Sequence, residues 1–165
     1  MKLKSSGIIN GVIQDRYGKR GEKRNSAGMV TYSLPFKILD PPYGTVSYAV
    51  FLEDKDSVPV CGFCWIHWLC ANLTKVELLP NESIDAKDFI QGATSWSGKY
   101  DRADRLATSI YGGMAPPNAP HTYELHVFAL DCLLDLKPGF YWNELYWAMQ
   151  GHILTQATIQ GVYDN

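Results

Sequence analysis

Three long apolar segments constrain the fold of this chain more than any other feature. Segments Ser47–Asp54, 63–72 and 121–131 are rich in aromatic and aliphatic side chains and carry few charges. The second is apolar at both its odd and its even positions, which is typical of a strand covered on both faces. The pattern predicts a mainly β fold with these segments as central strands.

The C-terminal part of the chain alternates between two periodicities. Apolar residues recur at helical spacing over 141–149, after a Pro-Gly pair and before Gly151, which predicts a short helix. This spacing places Trp142 and Tyr146 on the side that faces the core. Residues 153–163 alternate again, which predicts a last strand.

The middle of the chain is less regular. Good helix formers over 82–91, followed by Gly92, predict a short surface helix that ends at the glycine. Segment 93–109 has no clear period, and an irregular loop of this length is typical of a segment that covers a functional site. Its basic residues alternate with acidic ones, so they fit a solvated surface equally well; they are Lys99, Arg102 and Arg105.

Length and charge exclude several classes of protein. A chain of 165 residues predicts one domain spanning residues 1–165. With 15 basic and 17 acidic residues, the net charge of −2 gives no broad attraction to nucleic acid or to an anionic membrane. The sequence lacks both an apolar run of roughly 20 residues and a signal-like N-terminus, which predicts a soluble protein.

The cysteines indicate a reducing environment. Cys61, Cys64 and Cys70 lie too close together in one segment to make a useful disulfide framework. A cytoplasmic location is therefore expected. Cys61 and Cys64 form one CxxC motif with no second ligand pair, so buried thiols are favoured over a metal or redox site.

The histidines are the candidate functional residues. His67 is the only histidine in segment 63–72, which contains no Asp, Glu, Lys or Arg, and by itself such a residue is typical of a hydrogen-bonded core histidine. Strand alternation places His121 and Tyr123 on one face of their segment and His126 on the other. His121 and His126 are therefore not expected to share a metal, and no metal or cofactor is predicted. His152, directly after the C-terminal helix, is expected to contact the helix's carbonyl end.

Taken in order, five short motifs resemble the phosphatidylethanolamine-binding family, which includes Raf kinase inhibitor protein, and most closely its bacterial branch. They are Glu53-Asp54-Lys55-Asp56, Ile66-His67-Trp68, the loop from Tyr111-Gly112-Gly113 to Pro116-Pro117, His121-Thr122-Tyr123, and Gly151-His152-Ile153-Leu154. The chain departs from the family pattern at Lys55, where a proline is usual, and at Thr122, where an arginine is usual. The resemblance implies an antiparallel β-sandwich of Greek-key type with small peripheral and C-terminal helices, and a pocket for phosphate-like or carboxylate-like anions.

The resemblance also predicts a set of ligand-binding residues. Two imidazoles facing one cavity would donate hydrogen bonds to an oxyanion, a nearby aspartate would orient them, and glycine amides would add further donors. The predicted set is Asp54, His67, Tyr111, Gly112, Gly113, Pro116, His121 and Tyr123.

Three functions fit this set, and a non-enzymatic one is favoured. The first is a regulatory or ligand-binding module that takes a small anionic or phosphorylated ligand. The second is a hydrolase in which Asp54 and His67 act as a general base pair, although no convincing nucleophile accompanies them. The third is an inhibitor that contacts a protein partner through an exposed loop around Trp96, with a vestigial pocket. Homo-oligomers are compatible with all three.

Overall fold

The computed structural model describes residues 1–97 and 104–165, and within these the chain is mainly β. The strands are β1 Lys2–Lys4, β2 Ile8–Ile9, β3 Val12–Ile13, β4 Phe36–Leu39, β5 Ser47–Asp54, β6 Trp65–Leu73, β7 Glu77–Leu78, β8 Ile90–Gly92, β9 His121–Leu130 and β10 Ile153–Tyr163. The α-helices are α1 Val58–Cys61 and α2 Trp142–Met149, and short 3-10 helices span Asp15–Tyr17 and Ser95–Ser97. The predicted fold class and the three predicted central strands are confirmed.

The described strands form two sheets that pack face to face. One has the order β1-β4-β7 and the other β2-β3-β10-β9-β5-β6-β8. Phe36 and Ile38 of the small sheet share a core with Val50, Trp68 and Leu125 of the large sheet. Neighbouring strands are antiparallel except β3 and β10, which meet in parallel at one position. The architecture is therefore the predicted sandwich.

A second apolar cluster covers the other face of the large sheet. Phe51, Leu69 and Phe128 project from its central strands and pack with Leu145 and Met149 of α2. β5 and most of β6 are consequently buried on both faces, which explains why β6 is apolar at odd and even positions alike. In the first half of β9, alternate residues on one face are only half-buried.

Helix α2 and strand β10 lie where the sequence predicts them. The side chain of Glu144 accepts a hydrogen bond from the Tyr141 amide at 2.7 Å and so caps the helix. Trp142 stacks on Phe51 with ring centroids 4.0 Å apart. Tyr146 is 43% exposed, so its predicted place in the core is wrong. None of the described helices has the length and apolar character needed to cross a membrane.

The predicted helix over 82–91 is wrong. Residues 81–85 form turns, and the segment ends in β8, which pairs with β6. The Gln91 side chain accepts hydrogen bonds from Trp68 Nε1 at 2.7 Å and from the Ser83 hydroxyl at 2.5 Å. Gly92 does not end a helix: a Cβ there would lie 2.6 Å from Phe140, so glycine permits close packing. These long-range contacts outweigh local helix propensity.

The register of the central strands brings one end of each to the same place. Asp54, the last residue of β5, pairs with Trp65 at the start of β6 and with Tyr123 near the start of β9. His121 is the first residue of β9. Polar and aromatic side chains that are far apart in sequence therefore meet at one end of the central strands.

Candidate functional site

A cavity of about 250 Å³ opens at this end of the central strands. Strands β5, β6 and β9 form its floor, and α1 together with two loops forms its walls. The described residues that line it are Asp54, Ser57, Val60, Cys61, Trp65, His67, Trp96, Ala115, Pro117, His121 and Tyr123. Four of the eight predicted site residues are among them: Asp54, His67, His121 and Tyr123.

Asp54 and His121 form a buried pair. The Asp54 Oδ2 atom lies 2.7 Å from His121 Nδ1, and the two side chains are 5% and 3% exposed. The other carboxylate oxygen accepts a hydrogen bond from the Ser57 amide at 3.1 Å, which ties the turn before α1 to the site. His121 Nε2 lies 3.0 Å from the Asn118 side-chain oxygen. A protonated His121 donates to both oxygens and makes the pair neutral overall.

His67 is buried and neutral at pH 7 in the free protein. Its Nδ1 donates to the Gly112 carbonyl at 2.9 Å. Burial of the imidazole is the largest of several influences on its pKa, which is lowered from 6.5 to about 4. Because Nδ1 carries the proton, Nε2 can only accept a hydrogen bond. The expectation that both imidazoles donate to an oxyanion is therefore wrong for neutral His67.

Two residues that line the cavity carry a buried side-chain donor, Tyr123 and Trp65. Within residues 1–97 and 104–165, neither the Tyr123 hydroxyl nor Trp65 Nε1 makes a hydrogen bond of good geometry, although the Tyr123 hydroxyl lies close to the Asp54 carboxylate and the Ala115 backbone. Burial raises the Tyr123 pKa, and the nearby Asp54 carboxylate raises it further, so the hydroxyl keeps its proton. A buried unpaired donor costs about 1–3 kcal/mol. A ligand with an acceptor atom in the cavity would offset that cost.

The glycine loop shapes the cavity, and the protein itself satisfies the amides predicted to bind a ligand. The Gly112 amide donates to the His67 carbonyl and the Gly113 amide to the Val30 carbonyl, both at 2.8 Å. A Cβ at Gly112 would lie 2.3 Å from the Trp96 ring. Both amides are therefore used within the protein, and a role for them in ligand binding stays a prediction. Gly112 also allows Trp96 to approach the cavity.

Tyr111 and Pro116 also lie away from the cavity wall. The Tyr111 hydroxyl donates to the Tyr17 carbonyl at 2.8 Å, and its ring packs edge-on against Trp68 in the core. The Pro116 carbonyl accepts a hydrogen bond from Lys19 Nζ at 2.7 Å. Both residues hold the loop in place, so their predicted contact with a ligand is not supported by their position.

The sequence reasoning missed several residues of the cavity wall. Trp65 precedes His67 by two positions on β6, so strand alternation would have placed both on one face. Trp96 belongs to the irregular loop that was expected to cover a site, and its ring lies edge-on to both of them, 5.2 Å from each.

Lys99 and Arg102 lie outside the described residues. The Arg105 guanidinium lies 5.3 Å from the Tyr141 ring centroid.

The remaining histidines occupy other parts of the fold. His126 lies on the face of β9 opposite His121, as predicted, and its Nε2 is 3.1 Å from Glu53. The His152 side chain contacts Asp131 at 2.8 Å rather than the helix, and only its amide reaches the Met149 carbonyl at the end of α2. All four cysteines are free thiols, and only Cys70 is fully buried.

Comparisons with known proteins agree with this fold. A family model described as phosphatidylethanolamine-binding protein matches residues 4–164. The uncharacterised protein YxkA of Bacillus subtilis is 39% identical over 156 residues, which cover 92% of this chain and 93% of YxkA. A UPF0098 protein of Chlamydia pneumoniae is 31% identical over 151 residues, which cover 90% and 93%.

Two solved structures share the architecture. A Chlamydia trachomatis homologue of phosphatidylethanolamine-binding proteins is 27% identical with a TM-score of 0.78, covering 99% of this chain and 97% of that one. Escherichia coli YbcL, 20% identical, has the same TM-score with 99% and 98% covered, and supports the fold alone. The resemblance predicted from the ordered motifs is confirmed, and the chain belongs to the phosphatidylethanolamine-binding protein family.

Proposed function

We propose that this protein is a ligand-binding module that holds a small acidic group, such as the phosphate of a monoester, in the cavity beside Asp54 and His121. The observation that carries the proposal is the pair of unsatisfied donors in the cavity wall, Tyr123 Oη and Trp65 Nε1. Unpaired buried polar groups are uncommon in folded proteins, and a ligand is one common reason for them.

The polar groups of the cavity fit a monoprotonated oxyanion. Its oxygens would accept from Tyr123 and Trp65, and its own hydroxyl would donate to the free Nε2 of His67. None of the described residues that line the cavity is Lys or Arg. A dianion would therefore find little compensating charge, which favours a monoanion. The apolar side chains of Val60 and Pro117 fit the organic group attached to it.

Thermal unfolding with phenyl phosphate at about pH 5, where the phosphate is mainly a monoanion, tests the proposal. A ligand that binds only the folded state stabilises it by about 2.7 kcal/mol at a concentration 100 times Kd. We expect a rise in Tm for the wild type and a smaller rise for Tyr123→Phe, which removes one of the two donors. His126→Ala, on the opposite face of the same strand, should keep the full response. Absence of any rise in the wild type, or an equal rise in both variants, would contradict the proposal.

A pair of tyrosine variants separates ligand contact from fold stability. Tyr123→Phe removes a hydroxyl that makes no well-formed hydrogen bond to the described residues, so we expect little change in stability and a roughly 3- to 10-fold loss of affinity. Tyr111→Phe removes a hydroxyl that is hydrogen-bonded to Tyr17 outside the cavity. It should lower the free energy of unfolding by about 1 kcal/mol and leave affinity unchanged. Titration calorimetry and urea unfolding measure the two quantities.

The two alternative functions receive less support. The hydrolase hypothesis paired Asp54 with His67, whereas Asp54 hydrogen-bonds His121. The hydroxyl of Ser57, a serine that lines the cavity, bonds to the Asp54 and Phe63 carbonyls and accepts from an amide, so it is not a free nucleophile. Hydrolysis of p-nitrophenyl phosphate that disappears in His121→Ala would revive it. Trp96 is half-buried against the cavity, which weakens its role as an exposed anchor for a protein partner.

A further inference from the structure

We infer that Asp131, Cys132 and His152 form a surface site for a divalent metal ion of the zinc class. β9 ends at Leu130 and β10 begins at Ile153, and these two residues pair in the sheet. The ends of the two strands therefore bring a carboxylate, a thiol and an imidazole together from segments about twenty residues apart.

The ligand atoms of the three side chains lie close to the spacing that a metal ion requires. All of them lie within 4.8 Å of one another, and His152 Nδ1 is 2.8 Å from Asp131 Oδ1. Tetrahedral zinc with bond lengths of about 2.0–2.3 Å separates its ligand atoms by roughly 3.3–3.8 Å. The Asp131 and His152 side chains are each 46% exposed, so they can separate by this small distance without disturbing the core.

The backbone that carries the three side chains is held in place. The Asp131 amide donates to the His152 carbonyl at 3.1 Å. The Cys132 carbonyl accepts a hydrogen bond from the Ser47 hydroxyl at 2.5 Å. The three metal-binding side chains are therefore attached to backbone that hydrogen bonds hold beside the strand ends. This lowers the conformational cost of binding an ion.

A second group of possible ligands provides an internal contrast. The ligand atoms of Glu53, Glu124 and His126 are also within 4.8 Å of one another. Lys55, however, places its ammonium group against both carboxylates and already supplies the positive charge there. Among the described residues, the ion pairs of Asp131 include no lysine or arginine.

The chemistry of the donor set selects the class of metal. A thiolate and an imidazole favour Zn²⁺ or Co²⁺ over Mg²⁺ and Ca²⁺, which prefer oxygen. Three protein ligands leave the fourth position of a tetrahedral ion open to water. The site lies at the far end of β9 from His121, roughly 30 Å away at about 3.3 Å per strand residue. It is therefore independent of the ligand cavity.

Calorimetric titration of the reduced protein with Zn²⁺, and absorption of its Co²⁺ complex, test the site. We expect one ion per chain and a thiolate-to-cobalt charge-transfer band in the near ultraviolet. Cys132→Ser should abolish the band and weaken Zn²⁺ binding by at least tenfold, comparable to losses of about 10–100-fold seen on perturbing metal sites. His152→Gln should weaken binding similarly while the circular dichroism spectrum stays unchanged.

Two control variants make the test decisive. Cys64→Ser changes another half-buried thiol, and His126→Gln changes the cluster that contains Lys55. Both should bind Zn²⁺ as the wild type does. The inference is overturned if the wild type binds no Zn²⁺, if Cys132→Ser binds it equally well, or if either control variant loses it instead.

Discussion

Two histidine–carboxylate pairs join β5 and β9 on opposite faces of the same sheet. Asp54 and His121 lie 2.7 Å apart, with side chains 5% and 3% exposed. Glu53 and His126 lie 3.1 Å apart, with side chains 10% and 17% exposed. The carboxylates are neighbours in sequence, yet strand alternation sends one to the cavity and the other to the face that carries α2.

The surroundings of the two pairs differ in charge. Beside Glu53 and His126, Lys55 contacts two carboxylates, so that cluster is compensated within the protein. Beside Asp54 and His121 the neighbours are the uncharged groups of Ser57, Asn118 and Tyr123. The same pair of residue types is thus part of a closed ionic network on one face and of a candidate binding site on the other.

The largest expected effect comes from removing each carboxylate in turn. Asp54→Ala leaves His121 buried without its partner and should lower the free energy of unfolding by about 3–5 kcal/mol. Glu53→Ala leaves Lys55 and His126 in contact with Glu124, so a loss of about 1.5 kcal/mol is expected. Urea unfolding measures both. Equal losses would show that the two faces are energetically alike.

The second effect is the pH dependence that buried His67 contributes. Its pKa is about 4 in the folded protein and 6.5 ordinarily, so between these values the unfolded chain binds more protons. Stability is therefore fully present above pH 6.5 and is lost as pH falls toward 4, by up to about 3 kcal/mol. In His67→Gln this part of the loss should vanish. Exposed His152→Gln serves as the control.

Ligand binding should depend on pH in the opposite direction from stability. An oxyanion beside Nε2 favours protonated His67, so affinity should rise as pH falls from 6.5 toward 4. Benzenesulfonate is the appropriate probe, because its own charge is constant over that range. Calorimetry at several pH values follows the effect in the wild type and in His67→Gln. Parallel profiles for the two proteins would remove His67 from the site.

The smallest effect is expected for the lysine of the closed network. Lys55 is half-exposed, and surface ion pairs contribute about 0–1 kcal/mol. Lys55→Met should therefore change the free energy of unfolding by no more than about 1 kcal/mol and leave the response to phenyl phosphate intact. A large loss of the ligand response would mean that the two faces communicate through β5.

Much of the fold and part of the site follow from periodicity and motif order. Segments that are apolar on both faces are the central strands, and alternation separates His121 from His126 correctly. Asp54, His67, His121 and Tyr123 stand in or beside these strands, so their face and depth follow from strand geometry. Loop residues have no such period, which is why Tyr111 and Pro116 were placed at the ligand although they hold the loop.

The sequence by itself determined the strand pattern, the family and the four polar residues at the cavity, because local periodicity and ordered motifs encode them. Only the tertiary structure decided that segment 82–91 ends in a strand, that the Gly112 and Gly113 amides are already bonded, and that His67 is neutral. It also decided that Asp131, Cys132 and His152 meet. Burial, backbone pairing and packing between distant segments set these features, and none of the three is a property of neighbouring residues.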